Sequence, residues 1–155
     1  MKQKYIDAHM KVAQIYASLS TAIRLKVGAI VVKDNRVLSI GYNGMPPGWT
    51  NECEDLVRIG DDAYGRYEYK TKPEVIHAEA NAIAKLAKST DSGDGADMFL
   101  THAPCIDCAK QIFTAGIKKV YFGEHYRNTD GLDFLQKCNV EVEHISPGEN
   151  LSGQA

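Results

Sequence analysis

HAEANAIAKLAKSTDSGDGADMFLTHAPCIDCAKQIFTAGIKKVYF, residues 77–122, decides the fold. Residues 77–89 read as a helix, with Glu79, Ile83 and Leu86 sharing one face. Residues 90–95 are a polar, glycine-containing connection, and Met98-Phe99-Leu100 is a short buried strand. Residues 105–115 form the next helix, with Pro104 at its entrance and Gly116 at its end. Val120-Tyr121-Phe122 is another core strand. Strands that alternate with helices imply parallel pairing and helices on both faces of the sheet.

Working outward, residues 2–20 are expected to be an amphipathic helix buried through Ala8, Val12, Ile15 and Leu19. Residues 27–32 are β-branched and apolar, a buried strand. Lys33-Asp34-Asn35 is a polar turn into a partner strand over residues 36–42. Downstream, residues 130–137 are helical and residues 140–145 make a last strand. Residues 41–48, GYNGMPPG, suit neither a helix nor a central strand. Residues 43–75 are therefore expected to be one long irregular loop, and its Trp49, Cys53, Tyr64, Tyr67 and Tyr69 favour a functional one. The order α, β, β, α, β, α, β, α, β gives a three-layer α/β/α sandwich on a five-stranded mixed sheet. It forms a single domain over residues 1–145, with a flexible C-terminal tail over residues 146–155.

A chain of 155 residues suits one domain with one sizeable core. No apolar run approaches the roughly 20 residues that span a bilayer. Met1-Lys2-Gln3-Lys4-Tyr5 is followed by no apolar stretch of the signal-peptide kind. The expected compartment is the cytoplasm, and no membrane partner is expected. There, four cysteines are expected to be thiols or metal ligands rather than disulfides. Net charge is −2, and the basic clusters are as short as Lys118-Lys119, so no stripe exists to track a nucleic-acid polymer. A small-molecule substrate is favoured.

The chemistry lies in His77-Ala78-Glu79 and, 24 residues on, Pro104-Cys105-Ile106-Asp107-Cys108. One imidazole and two thiols make a three-ligand zinc site with a fourth position open, and Glu79 is a carboxylate left over. Cys105 and Cys108 are three apart, on one side of a first helical turn. Both pairs open helices, whose partial positive charge favours the thiolate that zinc needs. A structural zinc closes with four ligands; an open one lowers the pKa of water from about 15.7 to about 7. Glu79 is then the proton carrier. The H-x-E…P-C-x-x-C pattern resembles the signature of zinc nucleobase deaminases, which implies that Glu79 takes a proton from water, delivers it to N3 of a cytosine ring as oxygen adds at C4, and supports the second transfer that expels ammonia and leaves uracil.

With these blocks the chain resembles the cytidine and deoxycytidylate deaminase family, over roughly residues 27–142. Residues 26–31 (KVGAIV), 41–46 (GYNGMP), 77–83 (HAEANAI) and 104–110 (PCIDCAK) are similar to successive blocks of its deoxycytidylate members, phage enzymes included. GYNGMP discriminates, because zinc deaminases at large share the last two. The resemblance implies the five-stranded deaminase fold and conversion of dCMP to dUMP, which feeds thymidylate synthesis. It further implies homohexamers, activation by dCTP with Mg2+ and inhibition by dTTP, and a host cytoplasm if the chain is phage-encoded. For the nucleotide phosphate, Arg24 is the first candidate because a guanidinium forks onto phosphate oxygens. Tyr126 is placed like a family tyrosine that meets the phosphate, and Lys26 and Arg127 are secondary. Asn43 is expected to meet a sugar hydroxyl, or to sit in its turn only for positive φ. Ala78, through its N–H, and Thr101 are expected in the base pocket. Effector candidates are Trp49, Glu52, Glu54, Asp55 and Arg58. Some members hold a second, structural zinc through two cysteines; Cys53 matches one, but Ala22 stands near the other, so a second zinc is not expected.

Two rival functions remain open from sequence. One is deamination of free cytidine, guanine or a base in tRNA, against which GYNGMP, Arg24 and the net acidity argue. The other is a binding module whose zinc only holds the fold, for which Glu79 has no use.

Overall fold

The computed structural model describes residues 1–61 and 63–146. Apart from Ser146, the expected tail lies outside the described residues. In chain order the elements are α1 (Gln3–Ala17), β1 (Gly28–Lys33), β2 (Arg36–Tyr42), β3 (Glu54–Ile59), β4 (Arg66–Thr71), α2 (Ala78–Ala87), β5 (Asp97–His102), α3 (Ile106–Thr114), β6 (Lys119–Glu124), α4 (Asp130–Lys137) and β7 (Glu141–His144).

The main sheet has five strands in the order β2-β1-β5-β6-β7. β1 runs antiparallel to β2 and β5, and β5, β6 and β7 are parallel. The mixed α/β sandwich is the architecture expected. Period-two alternation fills both faces. Ala29, Val31, Met98, Leu100, Val120 and Phe122 meet α2, α3 and α4 on one side. Ile30, Val32, Phe99 and Tyr121 meet α1 on the other. There the rings of Phe99 and Tyr121 stack with centroids 4.5 Å apart. The layers are unequal, three helices against one.

Two expectations are corrected. Helix α1 buries Ile6, His9, Met10, Ala13 and Ala17; of the expected residues Val12 packs half-buried against that core, while Ala8 is exposed, Ile15 is 64% exposed and Leu19 55%. Both sets have helical spacing, and the sheet chooses between them. Gly28 brings β1 so close to α1 that an added Cβ would meet the backbone of Ala13 and Ala17. Only a face carrying alanine at the crossing allows that approach.

Residues 43–75 are not one irregular loop. They contain the antiparallel hairpin β3–β4, in register from Glu54 opposite Thr71 to Ile59 opposite Arg66. Every side chain of β4 is exposed, so no buried face announced the strand. At the base of the hairpin, Cys53 is buried against Ala22, Val75 and Met45. An apolar contact therefore stands where the resemblance would put a second zinc.

Candidate active site

Sequence dictates the placement of α2. Gly41 lets β2 run against the helix: a Cβ there would touch the Ala78 carbonyl and come within 2.7 Å of the Ala82 nitrogen. Ser39 Oγ donates to the Ala82 carbonyl (2.7 Å), Asn81 Nδ2 to the Tyr42 carbonyl (3.2 Å) and Lys85 Nζ to the Ile40 carbonyl (2.9 Å). A two-way bridge between Gly44 and Ile76 ties the chain before the helix to the end of β2. His77 thus sits at the N-cap of α2 and Cys105 at the N-cap of α3, both extended in backbone, with Glu79 and Cys108 in the first turns.

The two N-termini meet. His77 Nδ1 lies 3.7 Å from Cys105 Sγ and 3.4 Å from Cys108 Sγ, and the three ligand atoms fall within 4.8 Å of one another. With Zn–S near 2.3 Å and Zn–N near 2.0 Å, a tetrahedral zinc sets its N···S edges at about 3.6 Å. The donor set and its spacing fit zinc. Among the described residues this is the one His/Cys/Asp/Glu cluster of metal-binding geometry, and Glu79 stands outside it.

The electrostatics separate the roles. The neighbouring Cys108 thiol and the His77 imidazole hold the Cys105 thiol down at about 4, and Cys108 is pushed up in return. His77 is raised, first by its bond with Cys105. One thiolate shared among three donors is a ready metal site, because binding displaces the remaining proton. Burial pushes Glu79, 4% exposed, up to about 7. A carboxyl poised there can both accept and return a proton near neutral pH.

A cavity of about 780 Å³ opens on this cluster. Its lining includes His77, Ala78, Glu79 and Cys105, together with Arg24, Asn43, Tyr126 and Arg127. Glu54, Thr71 and His125 line it as well. Asn43 has no positive φ, which removes the purely conformational reason for its presence. Its Oδ1 accepts from the Val27 nitrogen and its Nδ2 donates to the Leu25 carbonyl, both at 2.8 Å.

Other expected contacts fall elsewhere. Lys26 and Thr101 line a second cavity, on the α1 side, and not the first. Thr101 Oγ1 accepts from the Gly28 nitrogen at 3.0 Å and meets His102 Nδ1 at 2.9 Å. Since the Gly28 bond uses the oxygen as acceptor, its own hydrogen is available to His102. His102 in turn lines both cavities.

Of the five effector candidates, Glu52 and Asp55 share one partner, Lys72, at 3.9 and 3.6 Å. Trp49 is 56% exposed ahead of the hairpin. Arg58 lies out along β3 opposite Tyr67, and Glu54 belongs to the first cavity. Thr71 and His125 were missed in the sequence. The alternation Arg66-Tyr67-Glu68-Tyr69-Lys70-Thr71 was the signal for the strand that carries Thr71; the adjacent candidates Tyr126 and Arg127 were the signal for His125.

This chain combines a five-stranded mixed sheet with a trio of potential metal ligands at two facing helix N-termini. The model of the cytidine and deoxycytidylate deaminase zinc-binding region matches residues 3–124, and the chain belongs to that family. A dCMP deaminase of cyanophage S-TIM5, solved with dCMP and dUMP, superposes with a TM-score of 0.82 at 46% identity, covering 94% of this chain and 99% of that one. ComE operon protein 2 of Bacillus subtilis (strain 168) is 36% identical over 143 residues, 92% of this chain and 71% of that protein. The deoxycytidylate deaminase of Enterobacteria phage T4 is 32% identical over 176 residues, 92% of this chain and 90% of that enzyme. No helix among the described residues is long and apolar enough to cross a membrane.

Proposed function

We propose that the chain hydrolyses dCMP to dUMP and ammonia, with His77, Cys105 and Cys108 holding one zinc ion and Glu79 moving the protons. The observation that carries this reading is the position of Glu79, buried in the cavity wall beside the trio yet outside it. When bound, zinc supplies a Lewis acid that makes water a nucleophile at neutral pH. Glu79 accepts a proton from that water, gives it to N3 of the cytosine ring and carries the next to the departing amino group. Ala78, in the first turn of α2, offers one of the N–H groups a helix leaves unpaired to the base. Asn43 meets the sugar with the bonding capacity its backbone contacts leave. Arg24, Tyr126 and Arg127 receive the phosphate, and their lining of the same cavity is the reason to prefer a nucleotide over a free nucleoside. Lys26 lines the second cavity and is not part of the proposed phosphate site.

The family resemblance also supports a homo-oligomer, a hexamer, with dCTP–Mg2+ as activator and dTTP as inhibitor. Ammonia release from dCMP, CMP, deoxycytidine and cytidine, measured side by side and then titrated with dCTP and dTTP, tests the substrate and the control. Preference for dCMP supports the reading. Equal turnover of deoxycytidine removes the phosphate site, and no ammonia from any substrate with one zinc bound leaves a binding module.

A further inference from the structure

The hairpin β3–β4 stands apart from the sandwich: no helix or strand of the main sheet packs extensively against it. Its open end is fastened to the segment before β1 by the burial of Cys53 against Ala22 and, one residue further on, by polar bonds from the first rung of the hairpin. Glu54 and Thr71, the first residue of β3 and the last of β4, are partners across the hairpin. Glu54 Oε1 accepts the backbone N–H groups of Ile23 (2.9 Å) and Arg24 (3.2 Å). Arg24 Nη1 donates to Thr71 Oγ1 at 3.1 Å. Asn43 holds the same segment from the other side, through Leu25 and Val27. Arg24, Glu54 and Thr71 line the first cavity with His77 and Glu79.

We infer that the Glu54–Thr71 rung is a positioning element for Arg24, fixing the guanidinium for the phosphate of the nucleotide substrate. This rests on the dCMP reading above. A tether that only anchored the hairpin would need no bond to the guanidinium, yet one of the rung's two side chains is spent on it. An arginine side chain gives up about 2 kcal/mol of rotamer freedom when it is immobilised. Fastening both its backbone and one arm of its fork beforehand removes much of that cost from binding. The bond to Thr71 uses one guanidinium nitrogen and leaves the rest of the fork for an anion. The Glu54 carboxylate makes charge-assisted bonds to the two backbone N–H groups, and so holds the main chain from which the Arg24 side chain departs. Glu54 is thereby reassigned from effector candidate to support of the substrate site.

Steady-state kinetics on dCMP test the inference. Glu54→Ala is expected to raise KM about tenfold and Thr71→Val about threefold, with kcat within about twofold of wild type. Glu54→Gln and Thr71→Ser keep an acceptor and a hydroxyl, and are expected to restore KM to within about twofold. If Glu54 acts through Arg24, the pair Arg24→Ala/Glu54→Ala is no worse than Arg24→Ala alone. Additive losses in that pair, an unmoved KM in both Glu54→Ala and Thr71→Val, or kcat falling in step with KM would overturn the inference. Should Glu54→Ala fail to fold, Thr71→Val and its serine rescue carry the test. A wild type inactive on dCMP defeats the function proposed above; an active wild type with unresponsive variants defeats only the positioning role.

Discussion

Gly41→Ala probes how the site is held. The new Cβ lies 2.7 Å from the Ala82 nitrogen and closer still to the Ala78 carbonyl, where ordinary contact begins at 3.4 Å. Neither neighbour is a side-chain tip that can swing away; both are backbone of α2. The helix must lift by about 1 Å, and overpacking of this kind costs about 1–3 kcal/mol. At this chain length 1 kcal/mol moves Tm by about 2–4 °C, so a fall of roughly 6–12 °C is expected at the upper end. His77 caps that helix, and catalytic geometry tolerates only about 0.5 Å of error. Zinc retention in a chelator competition should weaken along with Tm. Gly28→Ala is the matched comparison: its Cβ would meet Ala13 and the Ala17 nitrogen of α1, on the opposite face of the sheet. It should lose similar stability and keep its zinc. A Gly41→Ala protein that melts within 2 °C of wild type, roughly 1 kcal/mol at most, refutes the close-packing argument. Equal zinc loss in both variants refutes the claim that α2 placement sets the site.

Three further outcomes are expected. Cys108→Ala should abolish stoichiometric zinc by metal analysis, and stripping zinc from the wild type should lower Tm, because an ion held by the proposed trio would bind the folded chain across two helix N-termini. Thr101→Val removes the acceptor of the buried Gly28 N–H and should cost about 1–3 kcal/mol in denaturant unfolding, with Thr101→Ser recovering most of it. Asp97 has one buried oxygen without a hydrogen-bond partner, and burial raises its pKa above the usual carboxylate value. The proton it binds more tightly when folded stabilises the wild type at low pH, and that stabilisation is lost as pH rises through the raised value. The Tm of Asp97→Asn relative to wild type should therefore improve between about pH 3.5 and pH 7; a pH-independent difference contradicts it.

What the sequence disclosed depended on what each residue faced. Strands β1, β5 and β6 are buried on both sides, so their apolar runs were legible without any structure. The clustering of His77, Cys105 and Cys108 beside Glu79 was legible because ligand chemistry demands particular residue types at helix starts. Helix α1 showed its period but not its phase, since Ile15 and Leu19 look more apolar than the alanines that Gly28 actually selects. The β3–β4 hairpin stayed hidden because the alternation of Tyr67 and Tyr69 with charged residues in β4 marks no buried face, and the glycines and prolines before it coloured the whole stretch. Thr101 shows a related limit. It stands one residue before His102, which lines both cavities, but strand alternation turns its hydroxyl toward Gly28 and away from the first cavity. The role of Glu54 required three-dimensional contact across about 30 residues of chain, which no local pattern encodes.

Glu79→Gln, assayed for bound zinc and for ammonia released from dCMP, bears most directly on the division of labour at the centre. The account predicts one zinc per chain, as in wild type, with turnover reduced by about 10³-fold or more through loss of the proton carrier. A variant that keeps its zinc and turns over near the wild-type rate contradicts it, as does one that loses the metal together with the carboxylate.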